Sequence, residues 1–306
     1  MRLTSLVDCL SENLTSTSKT RHSEMSDSSD SSEVEYSDAE CFEALPDDTV
    51  EAIGSTESAI RKIIRENTET TDVVKYIRFT NIPPAIADKF SLRSSRQMFN
   101  RSTRYMIIKL LTGAHETATW YLGLAVQNEI DNMGLDESIR LLGSKTIQGL
   151  FCRKEADASF GPTQPVLGRN PKWPTVVIEV GVSESYRKLR VDAEWWLINS
   201  RGDVKLAIIV SISRKTPNIK FETVALDPTV NSLRLQRPRY VPKIQQTITA
   251  SRDANTSNIT ITPAVPLTIG FEALFCRQPV PPEHDIELSP DRLERISKNV
   301  WGEQKF

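Results

Sequence analysis

The sequence predicts an α/β domain, a central mixed β-sheet flanked by helices, with a disordered N-terminal tail. Three observations carry that expectation. Thr175 to Val182 (TVVIEVGV) and Val204 to Ile212 (VKLAIIVSI) are short β-branched runs, apolar on both faces, as central strands covered on both sides must be. Between them Tyr186, Leu189, Ala193, Trp196 and Leu197 form a helical stripe with charges opposite, so strand, helix and strand succeed one another as a crossover unit requires. Finally, Ser23 to Glu40 (SEMSDSSDSSEVEYSDAE) is too poor in apolar residues and too dense in like charge to offset the entropy of ordering.

These features divide the 306 residues into an acidic tail, 1–55, and one α/β domain, 56–306. The overall charge of −2 conceals an asymmetry. Residues 1–60 hold 14 Asp/Glu against 3 Lys/Arg, a net −11, and the remainder carries +9. A basic body admits a polyanionic partner such as nucleic acid. No apolar run reaches membrane-spanning length and Met1 to Leu10 lacks a sustained apolar core, so neither a membrane partner nor a secretory leader is expected. Cys9, Cys41, Cys152 and Cys276 are scattered and show no C-x-x-C spacing. That pattern predicts reduced thiols in an intracellular protein, cytoplasmic or nuclear, without a zinc site. His22, His115 and His284 are too dispersed for a histidine cluster. In the tail, Ser26, Ser28, Ser29, Ser31, Ser32 and Ser37 lie among acids, a context suited to acidophilic kinases; a solubilising role accounts for the same composition.

Order is expected from Thr56. Ile60, Ile63 and Ile64 lie at helical spacing within Glu57 to Asn67, and Val73 to Thr80 fits a short strand or a helix end. Pro83-Pro84 interrupts regular structure, Ser91 to Asn100 is polar, and the run Met106 to Leu111 is too short to assign by period. Ala118, Leu122, Ala125, Val126, Ile130 and Met133 predict an amphipathic helix, its apolar side widened by Trp120, Tyr121 and Leu124 and stopped at Gly134. Asp136 to Leu142 suggests a further helical turn, and Thr146 to Phe151 and Glu155 to Phe160 suggest extended segments flanking Arg153-Lys154. Pro162, Pro165, Gly168, Pro171 and Pro174 make the span from Gly161 to Pro174 a loop. After the crossover unit, Ile219 to Leu226, Thr247 to Ala250, Asn258 to Thr262 and Thr268 to Phe275 read as strands. Residues 227–238 read as a basic loop near Arg234, Arg237 and Arg239, open either to phosphate contact or to plain solvation. Ser289-Pro290 opens a last helix to Trp301 as an N-cap followed by Pro at N1.

Two acids stand out. Glu179 lies in the middle of Val-Val-Ile-Glu-Val, where a carboxylate needs a cation, a donor or a metal. Asp157 precedes it by a hairpin-like return, and if the two segments pair, the two carboxylates can converge. Two carboxylates suit Mg²⁺ or Mn²⁺, which polarises a phosphoryl oxygen and acidifies a bound water. A salt-bridged structural pair explains the same residues.

The run KEADASF, then KWPTVVIEVGVSES and LRVDAEWWLINSRGDVKLAIIVSI, resembles a fungal protein family of the PD-(D/E)xK, restriction-endonuclease-like nuclease superfamily. That resemblance implies a metal-dependent nuclease hydrolysing phosphodiester bonds in nucleic acid, with Asp157 and Glu179 as metal ligands and catalytic acids. It implies a third acid at Glu116, where an N-terminal acid favouring the helix dipole is the alternative. The superfamily's lysine position is occupied by Gly181, so the basic residue must come from the following helix, as Lys188 or Arg190, with Lys154 and Lys205 further off. Each is equally suited to an ordinary ion pair. Loss of the lysine supports a second reading: a degenerate nuclease fold that binds nucleic acid or protein without cleaving. Trp196 is expected in the core, with Trp195 flanking it.

Overall fold

The computed structural model describes residues 37–68, 74–182, 186–229, 239–253 and 256–306. A short helical segment, α1 (37–43), leads into β1 (Val50–Ile53), α2 (Glu57–Thr68), β2 (Lys75–Thr80), α3 (Pro84–Lys89), β3 (Ser95–Asn100), β4 (Tyr105–Leu110) and the long α4 (Gly113–Asn132). The short strands β5 (Ile139–Leu141), β6 (Thr146–Gln148), β7 (Cys152–Glu155) and β8 (Ala158–Pro162) come next. They precede the crossover unit β9 (Val176–Val182), α5 (Tyr186–Asn199) and β10 (Leu206–Ile212). The chain ends with β11 (Asn218–Thr229), β12 (Arg239–Arg252), β13 (Ile259–Thr262), β14 (Leu267–Ile269), α6 (Phe271–Phe275), β15 (Ile286–Leu288) and α7 (Pro290–Gln304).

The α/β architecture matches expectation, but the strands form two large mixed sheets instead of one. A six-stranded sheet has the order β1-β2-β4-β3-β7-β6 and a seven-stranded sheet the order β13-β12-β11-β10-β9-β8-β5. In each, a single neighbouring pair is parallel, β1 with β2 and β9 with β10. The second is the predicted crossover, with α5 between its strands. Every residue of β9 is buried, because β9 packs against both α4 and α5 while β8 and β10 flank it in the sheet. On the six-stranded sheet, Ile60 and Ile64 of α2 and Ala87 of α3 join Ile77, Phe79 and Ile108 in one apolar layer. Tyr76 and Ile107, on the alternate face, join the main core with β9 and α5.

Several expectations are corrected. The stretch 37–55, expected within the tail, is ordered, because α1 and β1 are integral. Cys41, Phe42 and Ala44 enter the main core, Asp38 is buried, and β1 pairs with β2. A mean over an acidic window hides these few apolar side chains. Residues 1–36, with every proposed phosphoserine except Ser37, lie outside the described residues, and Ser37 is itself buried. Asp136 to Leu142 gives the strand β5 and not a helical turn, and Phe271 to Phe275 is helical, not extended. The polar span ending at Asn100 is the strand β3, which buries Met98 and Phe99. Trp120, Tyr121 and Leu124 do not widen the buried side of α4; they are exposed, Trp120 to 66%. The α4 stop at Gly134 (φ +70°) and the Ser289 cap, which accepts from the Arg292 N–H, stand as expected.

Gly181 explains itself by packing. A Cβ there would lie 2.7 Å from Leu189 Cδ1, so α5 occupies the space a lysine would need. Gly181→Ala is therefore expected to overpack this contact by about 1–3 kcal/mol, and Gly181→Lys to be worse. Thermal melts followed by circular dichroism check this; unchanged melting of both variants would contradict it.

Candidate functional site

The chain changes sheets at one point. β7 belongs to the six-stranded sheet and β8 to the seven-stranded sheet, and only Ala156 and Asp157 separate them. Because β8 pairs with β9 only as far as Ala158↔Ile178, the edge of β9 at Val180 has lost its strand partner. Buried backbone groups in that position must be satisfied by something else. Asp157 Oδ2 accepts the Val180 N–H at 2.7 Å, and Lys109 Nζ, arriving from β4 in the other sheet, donates to the Val180 carbonyl at 2.7 Å. Lys109 also meets Asp157 Oδ2 at 2.6 Å. Two side chains thus replace a strand.

More basic side chains surround the same carboxylate. Arg96 on β3 places Nε 3.5 Å from Asp157 Oδ1 and donates to the carbonyls of Ala156 (3.2 Å) and Asp157 (3.3 Å). His115 Nε2 lies 3.1 Å from Asp157 Oδ2. Burial alone would raise the Asp157 carboxyl, but His115 and Lys109 outweigh it and hold it well below the ordinary carboxylate range. Glu116 stands at the rim, half exposed, 3.4 Å from Arg96 and 3.5 Å from His115 Nδ1. The His115 ring beside it lowers its carboxyl despite partial burial, with Arg96 adding to the effect.

Glu179 belongs to a second buried group on the α5 side of β9. Its Oε1 accepts from Trp196 Nε1 at 2.5 Å and lies 3.1 Å from Lys154 Nζ. Lys154 reaches Asp192 at 2.8 Å, and Lys188 reaches the same Asp192 oxygen at 2.5 Å. Burial raises the Glu179 carboxyl, Lys154 only partly opposing it. Asp192 is lowered because Lys154 and Lys188 overcome its burial. The Lys154 ammonium is stabilised above its usual range: burial disfavours the charge, but Asp192 and Glu179 prevail. The helix α1 closes this group. Asp38 accepts from Trp195 Nε1 and from Asn199, and Cys41 Sγ lies 3.8 Å from Asp192. Burial pushes the Cys41 thiol up to about 12.

The predicted residues therefore separate into two sets. Asp157 and Glu116 share Arg96 and His115; Glu179 and Lys188 are linked through Lys154 and Asp192. Arg190 is not part of either set, being paired with Glu194 along its own helix at 3.0 Å. Trp195 is wholly buried beside Trp196, not a flank. Sequence reasoning missed Lys109 and Arg96, and read Asp192 only as the i,i+4 partner of Lys188, a pair the structure contains. Lys109 had a signal of the same kind as Glu179, a charge inside the apolar run Met-Ile-Ile-Lys-Leu-Leu.

A divalent metal does not fit this arrangement. Magnesium needs free carboxylate oxygens in near-octahedral geometry, whereas Asp157 Oδ2 is already held by an ammonium and a backbone N–H, and Oδ1, which accepts no hydrogen bond, faces the Arg96 guanidinium at 3.5 Å. Among the described residues no three His, Cys, Asp or Glu side chains converge as ligands.

No protein-family model matches the chain, and no curated protein matches it. Among solved structures it is similar to a candidate nuclease belonging to DUF820 from Anabaena variabilis, at 11% identity and a TM-score of 0.40, over 73% of this chain and 99% of that one. A likeness of this size says nothing about activity. No described helix is long and apolar enough to cross a membrane.

Removing the Asp157 charge leaves Lys109 buried without its counter-ion, so Asp157→Asn is expected to cost about 3–5 kcal/mol. The sign with pH follows from the lowered carboxyl. Its stabilisation is complete above the ordinary carboxylate range and is lost as pH falls through the folded-state value. Urea denaturation from neutral to acid pH should show a steep acid loss in the wild type and a shallower one in Asp157→Asn. Equal slopes would exclude Asp157 as its source. For the α1 contact, Asp38→Ala should expose Cys41 to a thiol reagent at least about tenfold faster, without changing Cys276, as local opening requires. An unchanged Cys41 rate would mean that Asp38 does not hold α1 in place.

Proposed function

We propose that this chain is a degenerate, restriction-endonuclease-like domain that binds nucleic acid and does not cleave it. One observation carries the reading: the Asp157 carboxylate, fully buried, is paired with Lys109 and Arg96, contacts His115 and accepts the Val180 N–H. An acid used in this way supports the sheet junction, and it is not available to bind a metal or activate water. Glu179 is engaged similarly by Trp196 and Lys154, and Gly181 has no side chain with which to stabilise developing charge. Lys188, the helix candidate for a migrated lysine, is consumed by Asp192. The excess of basic residues beyond the acidic N-terminal region supports a polyanionic partner.

The test combines binding and cleavage. Purified protein incubated with DNA and RNA in Mg²⁺ or Mn²⁺ is expected to leave both intact, while anisotropy shows salt-sensitive binding that needs no metal. Titration calorimetry should show no metal binding that depends on Asp157. Metal-dependent cutting, abolished by Asp157→Ala in a folded protein, would instead establish the nuclease that the sequence resemblance implies.

A further inference from the structure

The helix α4 turns an apolar face to solvent at its midpoint. Trp120, Tyr121 and Leu124 are 66%, 38% and 42% exposed, whereas Ala118, Leu122, Ala125, Val126 and Ile130 of the same helix are buried in the core. An amphipathic helix normally points polar residues outward. Trp120 is the most exposed of the described aromatic side chains. Large apolar side chains exposed as a group mark interaction surfaces, which single ones do not.

The residues around the patch restrict what can cover it. α4 itself carries Glu116, Glu129 and Asp131 and neither Lys nor Arg. A face of this charge repels a nucleic-acid backbone or an anionic lipid surface, so its occupant is protein. The order of the residues narrows the choice. Gly113, Thr117, Trp120, Leu124, Gln127 and Asp131 follow one another in alternating steps of four and three, the spacing of a coiled-coil seam. All six are exposed or half-buried. The seam is centred at the level of Leu122 and reads alike from both ends: Trp120 and Leu124 are equidistant from the centre, then Thr117 and Gln127, then Gly113 and Asp131. Against a second copy turned end for end, Trp120 faces Leu124, Thr117 faces Gln127 and Glu116 falls opposite Asn128, so no acid on the seam faces another. A parallel alignment would set Glu116 against Glu116 and Asp131 against Asp131. Self-complementarity about a two-fold axis is what an isologous interface needs. The area is sufficient for a weak dimer. The three apolar side chains present roughly 300 Å² per copy. With the polar margins of a helix about 30 Å long, two copies reach about 1,200 Å² of total burial, the lower end for a specific interface.

We propose that α4 is a homodimer interface, two copies pairing antiparallel about the level of Leu122. The proposal is independent of the nucleic-acid-binding reading. Sedimentation velocity of the full chain between about 1 and 100 μM, the range suited to an interface this small, tests it. The wild type is expected to pass from monomer to dimer across that range. Trp120→Glu/Leu124→Glu should stay monomeric with an unchanged melting temperature, since both side chains lie outside the core. Trp120→Gln, a milder change, should weaken the dimer at least about tenfold. Leu167→Glu, at a fully exposed position outside α4, should dimerise as wild type. For the alignment, a Thr117→Cys/Gln127→Cys chain should form an intermolecular disulfide on mild oxidation, beyond any seen in wild type, and Thr117→Cys alone should not. A wild type monomeric throughout the range, an undiminished dimer in the Trp120 variants, or an equal loss in Leu167→Glu would overturn the interface. Cross-linking by Thr117→Cys alone would contradict the antiparallel pairing.

Discussion

The contact between Lys109, Asp157 and the backbone of Val180 is the constraint on which the rest of the structure depends. A chain that leaves one sheet and enters another within two residues must break a ladder, and the break exposes an N–H and a carbonyl in the middle of the core. A carboxylate from the switching segment and an ammonium from the far sheet supply both missing partners. Such charge-assisted bonds are stronger than the ladder bonds they replace. They work only as a pair, since either charge alone in this site would be uncompensated. Arg96 fastens the same step from β3 through two backbone carbonyls.

This arrangement links fold and function. An acid pair in a sheet of this type can hold a metal if its oxygens face a cavity and its cations stand back. Here cations sit directly on the acids: Lys109 and Arg96 on Asp157, Lys154 on Glu179. Gly181 fits the same picture, because Leu189 fills the volume that a side chain there would need and α5 can then approach β9 closely. Paired charges of this kind hold a structural junction together, and on the proposed reading that is their role here.

Much of the fold was legible in the sequence. Continuous β-branched runs and a 3.6-residue stripe identified β9, α5 and β10, and the cap at Ser289 located α7, because those signals are local. Glu179 was legible as a buried acid for the same reason. What escaped was set by distance along the chain. Lys109 lies 48 residues from Asp157, and Asp38 lies 157 residues from Trp195, so no window of sequence contains both partners. The helix α1 was missed because three buried apolar residues were averaged into an acidic tail. The division into two sheets was invisible because it depends on where pairing stops, at Ala158, and not on which residues favour strands.

The central claim, that Asp157 and Lys109 exist for each other, is tested most directly by a double-mutant cycle in stability using the near-isosteric changes Asp157→Asn and Lys109→Met. A buried, mutually dependent pair predicts that each single change is strongly destabilising and that the double variant recovers much of the loss, giving a coupling of about 3 kcal/mol, at the upper end for residues in contact. Additive losses, with no coupling between the two positions, would contradict the account.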